Sequence, residues 1–157
     1  MFRGFVIEDN ALARGALVEG LAELAGVTTV GYAGDEQTAL GWLTDPANDW
    51  DIAIIALHLG TGGCGYPILA ALARRQPHQR VVVWTAAADS QVRRRCLMLG
   101  VDRIFDRATE NSQLMAYCMA QSEAQARAAT ATASGRFPPS TRDATQRGAI
   151  AASLFGA

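Results

Sequence analysis

The 157-residue chain contains no lysine: all 14 of its basic residues are arginine. It has three cysteines, Cys64, Cys96 and Cys118, far apart and without CxxC spacing, which argues against a disulfide framework or a zinc site. They are expected to be small buried apolar residues in a reducing compartment. No stretch approaches the roughly 20 apolar residues that a membrane span needs, so no membrane partner is expected. The first ten residues, MFRGFVIEDN, lack the long apolar region of a signal peptide. With a formal net charge of -1 there is no global attraction to nucleic acid or to an anionic surface. A soluble cytoplasmic protein is the expectation.

Short apolar runs alternate with helical patterns. Phe5-Val6-Ile7 reads as a first strand ended by Glu8 and Asp9. Asn10 caps a helix with Leu12, Leu17, Leu21 and Leu24 at helical spacing, stopped by Gly26. Val27 to Tyr32 is rich in β-branched residues and reads as a second strand, and Asp35 to Leu43 as the next helix. Asp51 to Leu57 is a continuous apolar run, the signature of a strand buried on both faces. A glycine-rich turn, Gly60 to Gly65, leads to a helix opened by Pro67 and running to about Arg75. Val81 to Trp84 is a fourth strand, Ser90 to Leu99 a helix stopped by Gly100, Val101 to Phe105 a fifth strand, and Asn111 to about Gln125 a last helix.

Five strand-then-helix units predict an α/β fold with a parallel sheet and right-handed crossovers. The flavodoxin-like doubly wound order 2-1-3-4-5 is the natural arrangement, with any site at the carboxyl ends of strands 1 and 3. The domain is expected over residues 1–125. Residues 126–157, rich in Ala, Thr, Ser, Gly and Arg, read as a flexible C-terminal extension, with Ala149 to Phe155 apolar enough for a short docking helix.

The strand ends carry the informative residues: Glu8-Asp9 after strand 1, Ala56-Leu57-His58 after strand 3, Thr85 after strand 4, and Arg107 after strand 5. Together with the VVVWTAAAD and LGVDRIFDR segments, this pattern resembles the receiver domain of bacterial two-component response regulators, of the stand-alone type, over about residues 3 to 122. In that family an aspartate ending strand 3 takes a phosphoryl group from a phosphohistidine on a partner kinase. The acidic pair holds Mg²⁺, and a hydroxyl and a lysine then grip the acyl phosphate. Carried over, Glu8 and Asp9 match the metal-binding acids and His58 the position whose backbone carbonyl also binds metal. Thr85 matches the switch hydroxyl, Arg107 the lysine, and Ala56 the phospho-acceptor.

Two positions depart from the pattern. The methyl of Ala56 has no lone pair to attack phosphorus, and one metal-binding carboxylate is lost with it. Mg²⁺ binding should therefore be weak, and no other cofactor is implied. Arg107 keeps the positive charge on a larger planar fork; beside a small neutral Ala56 it is expected to pair with Glu8 or Asp9. On strand 5, Ile104 stands where the family often has a switch aromatic, with Phe105 beside it.

The resemblance implies a signalling module rather than an enzyme, with a histidine kinase, a phosphotransfer protein or another receiver as partner. A homodimer through the helix 4–strand 5–helix 5 face is a further expectation. The leading reading is a pseudo-receiver, degenerate at Ala56, that acts by binding. One alternative is an ordinary phosphorylatable receiver carrying an Asp-to-Ala change at position 56. Another is a flavodoxin-like domain that binds a small molecule in the cleft beside Ala56. The run Arg93-Arg94-Arg95 is by default a solvated helix face, and with no helix-turn-helix or basic aromatic platform nucleic-acid binding is not expected.

Overall fold

A computed structural model of the chain describes residues 1–135. Its strands are β1 (Phe2–Ile7), β2 (Val27–Ala33), β3 (Ile52–Ile55), β4 (Arg80–Thr85) and β5 (Arg103–Asp106). They alternate with helices α1 (Ala11–Ala25), α2 (Glu36–Leu43), α3 (Tyr66–Ala71), α4 (Ser90–Met98) and α5 (Asn111–Gly135). All strand pairs are parallel and the order is β2-β1-β3-β4-β5, the flavodoxin-like arrangement expected. None of the described helices is long and apolar enough to cross a membrane.

The side-chain alternation of the strands divides the core in two. Phe5, Ile7, Ala53, Ile55, Val81, Val83 and Ile104 face one way, onto Ala39 and Leu43 of α2, Ile68 and Leu69 of α3, and Cys96 of α4. Val6, Ile52, Ile54, Val82, Trp84 and Phe105 face the other, onto Leu17, Leu21 and Ala25 of α1 and Leu114 and Cys118 of α5. Side-chain caps fix the helix starts: Asn10, Asp35 and Asp89 each accept a hydrogen bond from the backbone N–H three residues on. Gly26 ends α1 in the left-handed region, φ 68°, where a Cβ would be strained.

Polar bonds tie the amino-terminal rim of the sheet. The buried carboxylate of Asp51 accepts from the backbone N–H and the guanidinium of Arg3. Arg75 donates to the carbonyls of Leu72, Gln79 and Gly100 and to Asp102.

Several local expectations are corrected. Leu12 and Leu24 of α1 are 85% and 60% exposed; the buried stripe is Leu17, Leu21 and Ala25. Helix α3 stops at Ala71 and passes into a 3₁₀ turn, Leu72–Arg74, because Arg75 adopts an extended backbone. Cys64 is only partly buried, unlike Cys96 and Cys118. Helix α5 runs past Gln125 to Gly135, since no residue before Gly135 breaks it. The chain divides at Ser122: the sheet and its helices form the first unit, and in the second α5 continues to Gly135. Residues 136–157, including the docking helix expected over Ala149 to Phe155, lie outside the described residues.

Candidate functional site

A cleft of about 760 Å³ opens at the carboxyl end of the sheet and brings Glu8, Asp9, Ala56, His58, Thr85 and Arg107 together. The sheet register does this. Ile7 lies beside Ile55, and the N–H of Ala56 donates to the carbonyl of Ile7 at 3.0 Å, so Glu8 and Ala56 leave the sheet side by side. Thr85 pairs with Asp106, and the N–H of Arg107 donates to the carbonyl of Thr85 at 3.0 Å.

Glu8 is 2% exposed, and both its carboxylate oxygens are engaged. Oε1 accepts from Nη1 of Arg107 and Oε2 from the backbone N–H of Asn10, each at 2.8 Å. Its backbone carbonyl accepts from Arg14. A carboxylate this far from water needs both a counter-charge and donors, and Arg107 supplies the charge. Of the two acids, the guanidinium chooses Glu8. Asp9 is exposed and stands against Gly60, where an added Cβ would lie 2.9 Å from Oδ2. Gly60 also has φ 58°, so this close turn suits glycine on two counts.

Arg107 is held from below as well. Its guanidinium carbon lies 4.0 Å from the centre of the Trp84 ring. The indole N–H of Trp84 donates to Asn111 at 2.7 Å, and the Asn111 amide donates back to the carbonyl of Arg107 at 2.9 Å. Stacking on the indole and pairing with Glu8 fix both the plane and the direction of the fork. Thr85 is buried, and its Oγ1 accepts from the N–H of Ala87, folding the loop toward α4 into a tight turn. Ala56 is 1% exposed and presents a methyl. His58 is exposed and forms an isolated antiparallel bridge with Cys64. Ile104 is buried against the α2–α4 side and Phe105 against the α1–α5 side.

A family model described as the response regulator receiver domain matches residues 5–118. The chain belongs to that family. It is thus a receiver domain of two-component signalling, a signalling module, and solved structures of such domains resemble it. A response regulator from Burkholderia pseudomallei with a phosphorylated aspartic acid, calcium ion and citrate is 26% identical, with a TM-score of 0.65 over 83% of this chain and 74% of that one. The receiver domain of the Francisella response regulator 1452 is 17% identical, TM-score 0.68, over 80% of this chain and 99% of that one. The signal receiver domain of a DNA-binding response regulator from Colwellia psychrerythraea is 20% identical, TM-score 0.68, over 78% and 99%. The last two show the fold alone. No curated protein matches the chain.

Receivers bind Mg²⁺, and the residues of this cleft do not suit it. A hard dication wants several free oxygens. Both oxygens of Glu8 already have donors, one of them cationic, and Ala56 contributes none. The carboxylate of Asp9 and backbone carbonyls remain. Among the described residues no group of three or more His, Cys, Asp and Glu is placed to hold a metal ion.

Reading the residues in order misses Trp84 and Asn111. Trp84 does carry a signal: it directly precedes Thr85, so period two sends it to the α1–α5 face. That is the face on which Arg107 lies back toward Glu8.

Proposed function

We propose that this receiver signals by binding and not by carrying phosphate. Ala56 occupies the phospho-acceptor position, and the chain is a pseudo-receiver. The supporting observation is the Arg107–Glu8 pair beside the Ala56 methyl, seated on Trp84. Phosphoryl transfer needs an attacking oxygen and a dication to offset charge on the phosphoryl group. A methyl offers no nucleophile, and the arginine takes the place of the metal's charge at Glu8. The Burkholderia relative carries a phosphorylated aspartic acid and a calcium ion; in this chain the charge is balanced from within.

The partner on this reading is a histidine kinase, a phosphotransfer protein or another receiver, in the cytoplasm. The α4–β5–α5 face suits a homodimer or an effector. On it Arg93 pairs with Glu110, and Arg103 lies over the rings of Phe105 and Tyr117.

The test is acetyl phosphate with Mg²⁺, read by intact mass on the chain, on Ala56→Asp and on Ala56→Asp/Arg107→Lys. The chain itself should gain nothing. Ala56→Asp should stay largely unmodified while the Arg107 fork, seated on Trp84, still claims Glu8; in the double variant the ammonium lacks that seat and can turn to the introduced carboxylate, so one phosphoryl group should be gained. Full modification of Ala56→Asp alone would favour an ordinary receiver with a changed acceptor. An adduct on the unaltered chain would overturn the proposal.

A further inference from the structure

A second groove, of about 890 Å³, runs between α3 and α4, lined in part by Tyr66, Pro67, Ala70, Arg94, Arg95 and Met98. Its floor is apolar. Pro67 and Ala70 are exposed on α3, and Met98 is 82% exposed on α4. An exposed methionine beside such a floor is an adaptable contact surface. The only charged residues in the lining are Arg94 and Arg95.

The three consecutive arginines of α4 do different things. Arg93 is tied back to the domain: it donates to the carbonyls of Ala88 and Ile104 and to the carboxylate of Glu110. Arg94 and Arg95 are exposed, and among the described residues neither forms a salt bridge. Arg95 instead lies flat on the ring of Tyr66, its guanidinium carbon 3.7 Å from the ring centre. Stacking holds the fork in one plane, which lowers the ordering cost of a two-point contact with a carboxylate. The lining thus combines an apolar floor, no acid, and two cations that form no salt bridge among the described residues.

We infer that this groove binds an acidic segment of a partner protein, with an apolar side chain on the Pro67–Ala70–Met98 floor and carboxylates on Arg94 and Arg95. Charge decides for a partner over the chain's own end. Residues 136–157 contain Arg136, Arg142 and Arg147 against a single acid, Asp143, and would be repelled. The inference does not depend on the chemistry at Ala56. It does place the partner against the helix that follows Ala86 and Ala87, two residues of the cleft wall.

The test selects binders to the full chain from a random dodecapeptide display library. Enriched peptides are then measured by fluorescence anisotropy. They should be net acidic with at least one large apolar residue. Affinity should fall about tenfold or more in Arg94→Glu/Arg95→Glu, and severalfold when salt rises from about 50 to about 500 mM. The milder Arg94→Gln/Arg95→Gln and Met98→Ser should each weaken binding, while Arg74→Glu, at an exposed arginine outside the groove, should not. Circular dichroism confirms that each variant is folded. No enrichment, enrichment without acids, or binding indifferent to both arginine pairs would overturn the inference. So would tighter binding of a dodecathymidine oligonucleotide through the same arginines, which would assign the surface to nucleic acid. Self-association abolished by the arginine variants would assign it to a second copy and overturn it equally.

Discussion

Deleting the guanidinium of Arg107 tests what holds the cleft together. In Arg107→Ala the carboxylate of Glu8, 2% exposed, loses its donor at 2.8 Å and keeps only the N–H of Asn10. Removing one partner of a fully buried pair costs about 3–5 kcal/mol. The Arg107 side chain is 25% exposed, so water replaces part of the loss; about 2–3 kcal/mol is the working figure. The lost stack on Trp84 adds about 0.5–1 kcal/mol. For a unit spanning Met1–Ser122 each kcal/mol moves Tm by roughly 4 °C, so a fall on the order of 10 °C is expected. The assay is thermal unfolding followed by far-UV circular dichroism, extended to a double-mutant cycle with Glu8→Gln. The cycle should return a coupling of about 2 kcal/mol. Arg107→Lys separates charge from shape: the ammonium can reach Glu8 but lacks the plane that covers the indole, so it should recover only part of the loss. A Tm for Arg107→Ala within about 2 °C of the parent, or a coupling below about 0.5 kcal/mol, would refute the reasoning.

Two further outcomes concern titrating groups. Burial pushes the Cys118 thiol up to about 12, which leaves a thiolate fraction on the order of 10⁻⁴ at pH 8. In native protein a thiol reagent should therefore label Cys64 first and reach Cys96 and Cys118 only after denaturant is added; three equal rates would contradict the burial assigned to them. The Glu110 carboxyl is held below the usual carboxylate range, first by the backbone N–H of Asp106 and then by Arg93. A lowered folded-state pKa stabilises above the ordinary glutamate value, near about 4.3, and that stabilisation is lost as pH falls through the folded value. The gap in urea midpoint between the parent and Glu110→Gln should therefore shrink from pH 6 to pH 3, and an unchanged gap would refute the assignment.

The three central strands were legible because they are buried almost throughout and so appear as apolar runs; β3, with four fully buried residues, is the plainest, whereas the edge strand β2 alternates buried with exposed residues and was read from its β-branched content. Helix faces were harder to read. In α1 the sequence ALARGALVEGLAELA is apolar on several sides, and nothing in the spacing prefers Leu17-Leu21-Ala25 over a stripe through Leu12 and Leu24. Packing against β1 and α5 decides it. The end of α3 depends on Arg75, whose side chain reaches carbonyls 3, 4 and 25 residues away, a connection invisible in the local pattern. At the cleft, sequence placed the six residues and left Arg107 a choice between two acids. That choice turns on burial: Glu8 is enclosed while Asp9 is turned out beside Gly60. The second role of Trp84 is hidden because a tryptophan next to the end of a strand reads as core, which it is, until the cation above it is located.

Helix α4 is seated in an unusual way. Cys96 is its only fully buried side chain. Val92 and Leu99 pack at the edge of the core, and directional forks hold both ends, with Arg93 gripping Ala88, Ile104 and Glu110 near the first turn, and Arg75 gripping Gly100 and Asp102 just beyond the last. An apolar seat is nondirectional and lets a helix slide by degrees, whereas a fork bond is made or lost within a few tenths of an ångström. Helix α4 should accordingly behave as a latch with a closed and a released position and little between them. A partner acting on it would shift the proportion of molecules in each position, not move every molecule by a small amount.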